Sequence, residues 1–164
     1  MSSYPLVSVY IPSKNRQHLL SIALDSVRQQ SYPSIEILVV DDGSTDNTFD
    51  YLTHLASELT NLRIFKNEKS IGACASRNIA IKHAKGDFVT GLDDDDTFLP
   101  NRIETLMNAY NDKYAFVCSS MFWDYGKNKR LIDAKEREIS LSAQLDYNEA
   151  TSQILTKKSR ILEV

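Results

Sequence analysis

Along the first 110 residues, short apolar runs alternate with segments in which apolar residues recur at helical spacing. Short runs of β-branched and apolar residues predict strands at 6–11, 35–40, 62–65 and 87–92. Between them, apolar residues recur every three to four positions, which predicts helices over 19–27, 49–59, 72–84 and 100–110. Strand and helix therefore alternate four times. This alternation favours an α/β fold with a doubly wound, mostly parallel sheet.

The alternation stops after residue 110. A fifth strand is predicted at 114–122 and a short one at 153–156, whereas 125–130 has the composition of a polar turn. Residues 159–164 have the pattern of a helix that begins there. Because no linker or internal repeat divides the chain, we expect a single domain over residues 1–164.

Composition excludes several classes of protein. Of the 164 residues, 42% are hydrophobic and 25% are charged, a balance typical of a globular domain and not of a disordered segment. The formal charge of −3, without a Lys/Arg cluster, argues against binding to nucleic acid or to an anionic membrane. We expect no transmembrane segment and no secretory leader. Two cysteines cannot form a disulfide framework, which favours the cytoplasm.

Polar and charged residues collect directly after the predicted strands. They occur at 12–16, 41–44, 66–67 and 93–96. In an open parallel sheet, the carboxyl ends of the strands lie along one edge, and ligands bind in the crevice beyond that edge. The sequence therefore predicts a polar binding site there.

Residues 93–96 are four consecutive aspartates, and no Lys or Arg occurs between Lys85 and Arg102. Two carboxylates ~4 Å apart repel by about 4 kcal/mol at an effective dielectric near 20. Either the run is fully solvated or a divalent cation neutralises it. Carboxylates select hard cations, so the run predicts Mg²⁺ or Mn²⁺.

Other nucleotide and metal motifs fail on spacing. The five glycines never form G-x-G, and Gly86 and Gly91 are not followed by the Lys-Ser/Thr pair of a phosphate-binding loop. The three histidines are far apart on predicted helices. That separation argues against a zinc site or a Ser-His-Asp triad.

Four segments, in order and at plausible spacing, resemble one family. They are VSVYIPSKNR at 7–16, VVDDGSTDNT at 39–48, IG…SRN at 71–78 and GDF…LDDDDTFLP at 86–100. Over about residues 5–110 the chain resembles the family 2 inverting glycosyltransferases, and the fourth segment is similar to their D-x-D element. The resemblance implies the Rossmann-like GT-A fold of nucleotide-diphospho-sugar transferases, with 5–110 as the donor nucleotide-binding half.

The resemblance also implies an activity. Such enzymes transfer a sugar from a nucleotide-diphosphate donor, here expected to be UDP-linked, to an acceptor hydroxyl with inversion at the anomeric carbon. By position in the motifs, Pro12, Lys14 and Asn15 border the nucleoside, and Lys14 stands where the family often has Tyr. Asp42 is expected to accept a hydrogen bond from the base, commonly uracil.

The third and fourth segments supply the remaining expected site residues. The resemblance places Asp94 near the ribose and assigns Asp93 and Asp95 to the Mn²⁺ or Mg²⁺ ion that bridges the diphosphate. Arg77 is expected to approach the donor.

The general base is the missing part of this assignment. In the family it is an Asp or Glu after a Gly-Gly-Phe-Asp-like stretch, which this sequence lacks, so we expect it beyond Val164. Residues 111–164 then represent the start of an incomplete acceptor half, and nothing singles out Asp124, Asp146 or Glu149 as the base. We expect residues 1–164 to bind UDP and metal without measurable transfer. The expected acceptor is a glycan or lipid-linked glycan, at the inner face of the plasma membrane.

Three other functions compete with this assignment, and the sequence argues against two of them. The same fold could hold a nucleotide sugar without turnover, as a binding module. A phosphoacceptor receiver domain also has an acidic pair, but that pair follows its first strand, whereas Asp41 and Asp42 follow the second. A sugar nucleotidyltransferase requires a glycine-rich opening, and 12–16 contains no glycine.

Overall fold

A computed structural model describes residues 4–124, 126–132, 137–147, 150 and 153–162. Its centre is a five-stranded sheet in the order β3-β2-β1-β4-β7. The strands are β1 Val7–Ser13, β2 Ile35–Asp41, β3 Leu62–Lys66, β4 Phe88–Gly91, β5 Met121–Asp124, β6 Lys129–Ile132 and β7 Leu155–Lys157. The helices are α1 Gln17–Arg28, α2 Thr48–Glu58, α3 Ala73–His83, α4 Arg102–Ala109, α5 Leu141–Tyr147 and α6 Lys158–Leu162.

Strands β1 to β4 pair in parallel, as the alternating pattern predicts. β1 and β2 lie inside the sheet, between β3 and β4. Every residue of β1 is buried, and so is every residue of β2 except the first. Such strands are mostly apolar because helices cover both faces of the sheet. This confirms the predicted doubly wound, mostly parallel sheet.

The two faces of the sheet carry separate apolar clusters. Alternate residues of β1 and β2 point to opposite faces, so Val9 and Ile37 pack with α1, α2 and α4, whereas Tyr10 and Leu38 pack with α3. The apolar stripe of α1, for example, buries Leu20 and the residues at helical spacing after it.

The prediction of one fifth strand over 114–122 is wrong. The strand there is β5, which pairs antiparallel with β6 in a separate two-stranded sheet. Val117 makes only an isolated bridge to Leu155. The short strand predicted at 153–156 is present as β7, and it pairs antiparallel with β4. The predicted turn at 125–130 is shorter, because β6 begins at Lys129.

The parallel pairing brings the polar segments to one edge of the sheet. The backbone N–H of Asp42 donates to Ser13 O at 2.8 Å, and that of Asn67 donates to Asp41 O at 2.9 Å. On the other side of β1, the N–H of Leu92 donates to Tyr10 O at 3.0 Å. These bonds extend the sheet past its last residues, so the loops that follow β1, β2, β3 and β4 lie side by side.

Candidate functional site

A cleft of about 370 Å³ opens at this edge. Its lining comes from the loop after β1, the end of β2, the segment before α3 and the aspartate run: Pro12, Ser13, Lys14, Arg16, Asp42, Ser70, Gly72, Ala73 and Asp94. Four of the sequence-predicted site residues therefore line one cavity. Cationic and anionic side chains stand on its walls together, which suits a ligand with both polar and charged groups.

Asn15 links the loop after β1 to the loop after β2. Its φ is +53°, a left-handed conformation that Asn tolerates better than most residues. The Asn15 N–H donates to Ser44 Oγ at 2.9 Å, and the Thr45 N–H donates to Asn15 Oδ1 at 2.7 Å. Asn15 thus fixes the shape of the cleft rim, whether or not it also contacts a nucleoside.

Asp42 is buried and accepts five hydrogen bonds. Its Oδ1 accepts from Asn67 Nδ2 (2.8 Å), Ile71 N (2.9 Å) and Ser76 Oγ (3.1 Å), and its Oδ2 from Ser70 Oγ (2.6 Å) and Gly72 N (2.9 Å). Burial alone would raise the pKa of this carboxyl, but the donors hold its pKa well below its usual range. Asp42 therefore organises residues 67–76 around one ionised carboxylate.

This arrangement bears on the expected base contact of Asp42. A carboxylate offers about four lone-pair sites, and five donors already share those of Asp42. A base N–H would have to share an oxygen with one of them or displace it. The contact with uracil stays a prediction, and the structure adds a second role, which is to order the segment that forms the cleft wall.

The segment ordered by Asp42 also packs tightly against the turn after β2. Gly43 has a φ of +71°, and a Cβ at that position would come within 2.9 Å of the backbone nitrogen of Ser70. Only glycine combines that conformation with so close an approach. Sequence reasoning identified the turn but gave no signal that Ser70 would line the cleft.

The aspartate run is compensated by arginines from other segments. Arg16 Nη1 lies 3.0 Å from both Asp94 Oδ1 and Asp95 Oδ2, and Arg77 Nη2 donates to Asp93 Oδ1. The hydrogen bond to Asp94 is the main reason why the pKa of Arg16 is raised. The sequence argument, which offered only solvation or a cation, was therefore incomplete because it considered only neighbours along the chain.

The four aspartates occupy different environments. Asp94 is buried and accepts a second bond from Ser13 Oγ at 2.7 Å, whereas the Asp95 side chain is 52% exposed. Gln153 Nε2 donates to Asp96, whose pKa is raised by burial and then by the charges of Asp95 and Asp93. Asp94 therefore lines the cleft with both of its oxygens held by protein donors, whereas Asp95 is the more exposed carboxylate of the two.

The residues present fit a divalent cation only with help from a ligand. In the part of the chain that the structure describes, no group of three or more His, Cys, Asp or Glu side chains forms a ready metal cage. Asp93 and Asp95 offer two hard oxygen donors, and Mg²⁺ commonly takes one or two carboxylates and completes its shell with substrate phosphates. The donor set therefore suits a cation that arrives with a phosphorylated ligand.

Among the described residues, Asp124 is a poor candidate for the general base. Asp124 is exposed, its Oδ1 accepts from Gly126 N, and its Oδ2 lies 3.2 Å from Lys129 Nζ. These contacts lower its pKa, the bond from Gly126 first among them, which weakens it as a proton acceptor. Glu149 and the side chain of Asp146 lie outside the described residues.

Comparison with known proteins defines the class of this fold and site. The sequence profile of the family described as "Glycosyl transferase family 2" matches residues 8–161. This match covers more than half of the chain. The mostly parallel α/β sheet of the structure also agrees with the fold that the four motifs imply. The chain belongs to glycosyltransferase family 2.

Individual relatives are similar to part of this chain. The UDP-Glc:alpha-D-GlcNAc-diphosphoundecaprenol beta-1,3-glucosyltransferase WfgD of Escherichia coli is 41% identical over 100 residues, which are 60% of this chain and 38% of WfgD. The structure of S. aureus TarS 1-349 in complex with UDP has a TM-score of 0.59 and 31% identity, over 68% of this chain and 33% of the TarS 1-349 chain. The mannosyltransferase PcManGT from Pyrobaculum calidifontis, in complex with GDP-Man and Mn²⁺, has a TM-score of 0.55 and 30% identity, over 59% and 29%.

The chain spans between 37% and 42% of the length of the first curated relatives that it matches. Among its described residues, no helix has the length and apolar character needed to cross a membrane.

Proposed function

We propose that this chain binds the donor for a metal-dependent, inverting transfer of a sugar from a UDP-sugar to an acceptor hydroxyl. The acceptor we propose is a glycan or lipid-linked glycan of bacterial polysaccharide synthesis. One observation carries the proposal, which is the cleft at the carboxyl edge of the parallel sheet. Four residues that the motifs assign to the donor line this cleft: Pro12, Lys14, Asp42 and Asp94. Asp93 and Asp95 are the neighbours of Asp94 in the chain.

The size and charge of the cleft support a nucleotide diphosphate. Its volume of about 370 Å³ lies within the range of small-molecule sites. Lys14 and Arg16 supply positive charge for phosphates, and the carboxylates of Asp42 and Asp94 would accept from N–H and hydroxyl donors of the ligand by sharing oxygens that already accept from protein donors. The choice of UDP is supported by the TarS–UDP complex and by the UDP-Glc donor in the name of WfgD.

Asp93 and Asp95 would hold the divalent cation, Mn²⁺ or Mg²⁺. When bound, such a cation stabilises the negative charge that develops on the departing diphosphate. The Mn²⁺ in the PcManGT complex is in keeping with this assignment. Arg77 keeps Asp93 in place through its bond to Oδ1, and Arg77 is itself half-buried.

The proposed transfer replaces one bond at the anomeric carbon of the sugar with another. The bond from the anomeric carbon to the diphosphate oxygen breaks, and a new bond forms from the acceptor oxygen to the opposite face of that carbon. The acceptor proton passes to a carboxylate base, and the diphosphate leaves with the electron pair of the broken bond. Ser13, Arg16 and Asp94 form a hydrogen-bonded group on the wall of the cleft in which we place the donor.

Calorimetric titration of UDP, with and without Mn²⁺, tests the proposal. We expect Mn²⁺ to tighten UDP binding to the native chain at least tenfold, and Asp95→Asn to abolish that gain. Asp87→Asn is the matched control, because Asp87 is an exposed aspartate just before β4, at the other end of the same strand. Equal UDP affinity with and without Mn²⁺ in the native chain would refute the metal-dependent site.

A further inference from the structure

Arg16 occupies an unusual position next to the aspartate run. It is the third residue after β1, and its Nη1 atom lies 3.0 Å from Asp94 Oδ1 and 3.0 Å from Asp95 Oδ2. One guanidinium nitrogen therefore serves two carboxylates from a loop 78 and 79 residues away along the chain. Arg16 also lines the cleft.

The two contacts of Arg16 differ in exposure. The Asp94 side chain is 8% exposed and is fixed from its other oxygen by Ser13 Oγ, so it stays in place without Arg16. The side chains of Arg16 and Asp95 are 49% and 52% exposed. Ion pairs between exposed groups are weak and exchange readily with water and salt. The Arg16–Asp95 contact can therefore be broken at little cost.

A divalent cation on Asp95 would compete directly with Arg16. The cation needs a carboxylate that Arg16 neutralises in this structure, and two positive groups at one carboxylate repel each other. Once displaced, the guanidinium remains on the cleft wall beside Lys14. The strongest partner for a guanidinium in such a site is a phosphate group, which its planar fork matches with two parallel hydrogen bonds.

We propose that Arg16 is an exchangeable counter-ion. It pairs with Asp94 and Asp95 in the metal-free protein, and it transfers to the diphosphate of the donor when a divalent cation takes Asp95. The pairing of Arg16 with Asp94 and Asp95 is present in this structure. The transfer to a diphosphate rests on the proposed function, in which the ligand is a nucleotide diphosphate.

A fixed structural pair would behave in the opposite way. If Arg16 served only to hold the aspartate run in shape, its loss would weaken the binding of metal and of nucleotide together. An exchangeable counter-ion instead opposes the metal and assists the diphosphate. Removal of Arg16 should then raise the affinity for the divalent cation and lower the affinity for the nucleotide diphosphate. These opposite changes distinguish an exchangeable counter-ion from a fixed structural pair.

The test compares Arg16→Gln with the native chain in two titrations. Mn²⁺ alone is titrated first, with the free ion followed by electron paramagnetic resonance, and we expect binding to the variant to be about two- to fivefold tighter. UDP is then titrated at saturating Mn²⁺, and we expect its binding to the variant to be roughly three- to tenfold weaker. Arg28→Gln is the control, because it removes one positive charge from an exposed pair with Asp25 on α1.

Each outcome decides the matter. Tighter Mn²⁺ binding with weaker UDP binding in Arg16→Gln, and neither change in Arg28→Gln, supports the exchange. A change of both affinities in the same direction, or no change in either, overturns it. If Arg16→Gln does not fold, Arg16→Lys replaces it: the retained charge should keep Mn²⁺ binding near the native value, while the lost fork should still weaken UDP. Failure of the native chain to bind UDP at all would instead refute the proposed function.

Discussion

Replacement of Asp42 by asparagine should destabilise the protein and loosen the wall of the cleft. The substitution removes the charge and turns one of the two oxygens into an NH₂ group. Five donors surround this side chain. If the amide keeps its oxygen towards Asn67, Ile71 and Ser76, its NH₂ group faces Ser70 and Gly72.

The magnitude follows from those two donors. The Ser70 hydroxyl can rotate and accept a bond from the new NH₂ group, but the backbone N–H of Gly72 cannot reverse its role. A fully buried N–H without a partner costs roughly 1–3 kcal/mol, and the Gly72 N–H is bonded to Asp42 in a part-buried position. We therefore expect Asp42→Asn to lower the free energy of unfolding by about 2 kcal/mol, which lowers Tm by roughly 4–8 °C in a domain of this size.

Urea unfolding and amide hydrogen exchange provide the measurements. We expect the amides of Ile71 and Gly72 to exchange faster in Asp42→Asn through local opening, whereas the amides of β1 should lose only the protection that corresponds to the lower global stability. Asp25→Asn is the matched control, since the exposed Asp25 side chain pairs with the exposed Arg28 on α1. The reasoning is refuted if Asp42→Asn matches the native chain in unfolding free energy and in the exchange of these two amides.

Three further predictions concern the same framework. Because the pKa of Asp42 is lowered in the folded state, its stabilisation is complete above about pH 4 and is lost as pH falls further, so the stability gap between native and Asp42→Asn should narrow from pH 6 to pH 3 in urea titrations. Glu36→Gln should cost about 2 kcal/mol in unfolding free energy without changing UDP affinity, since buried Glu36 accepts from Ser8 Oγ at 2.6 Å, outside the cleft lining. Gly91→Ala should lower stability by about 1–3 kcal/mol in thermal unfolding, because its Cβ would lie 2.7 Å from the Tyr10 ring.

The sequence predicts the parallel part of the fold well because its signals are local. Each strand from β1 to β4 is a short apolar run, and each following helix has its own apolar stripe. The region after α4 lacks such signals. β5 and β6 are mostly exposed, so no alternation of buried positions marks their register, and the prediction merged β5 with the preceding segment.

The site was predictable in location but not in its electrostatics. The rule for parallel sheets placed the loops after β1, β2 and β4 at one edge. The arginines that neutralise the aspartates come from elsewhere in the chain, since Arg16 is 78 residues from Asp94 and Arg77 is 16 residues from Asp93. Similarly, the sequence shows that Asp42 ends a buried strand, but it cannot show which donors will meet its carboxylate.

A crystal structure of this chain with UDP and Mn²⁺, with data collected for the anomalous signal of manganese, tests the central claim most directly. We predict a manganese peak in contact with Asp93 and Asp95, and the nucleotide in the cleft between Lys14 and Asp42. A nucleotide outside this cleft, for example in the cavity of about 220 Å³ lined by Val27, Gln30 and Tyr32 among others, or a manganese peak away from the aspartate run, would contradict the account.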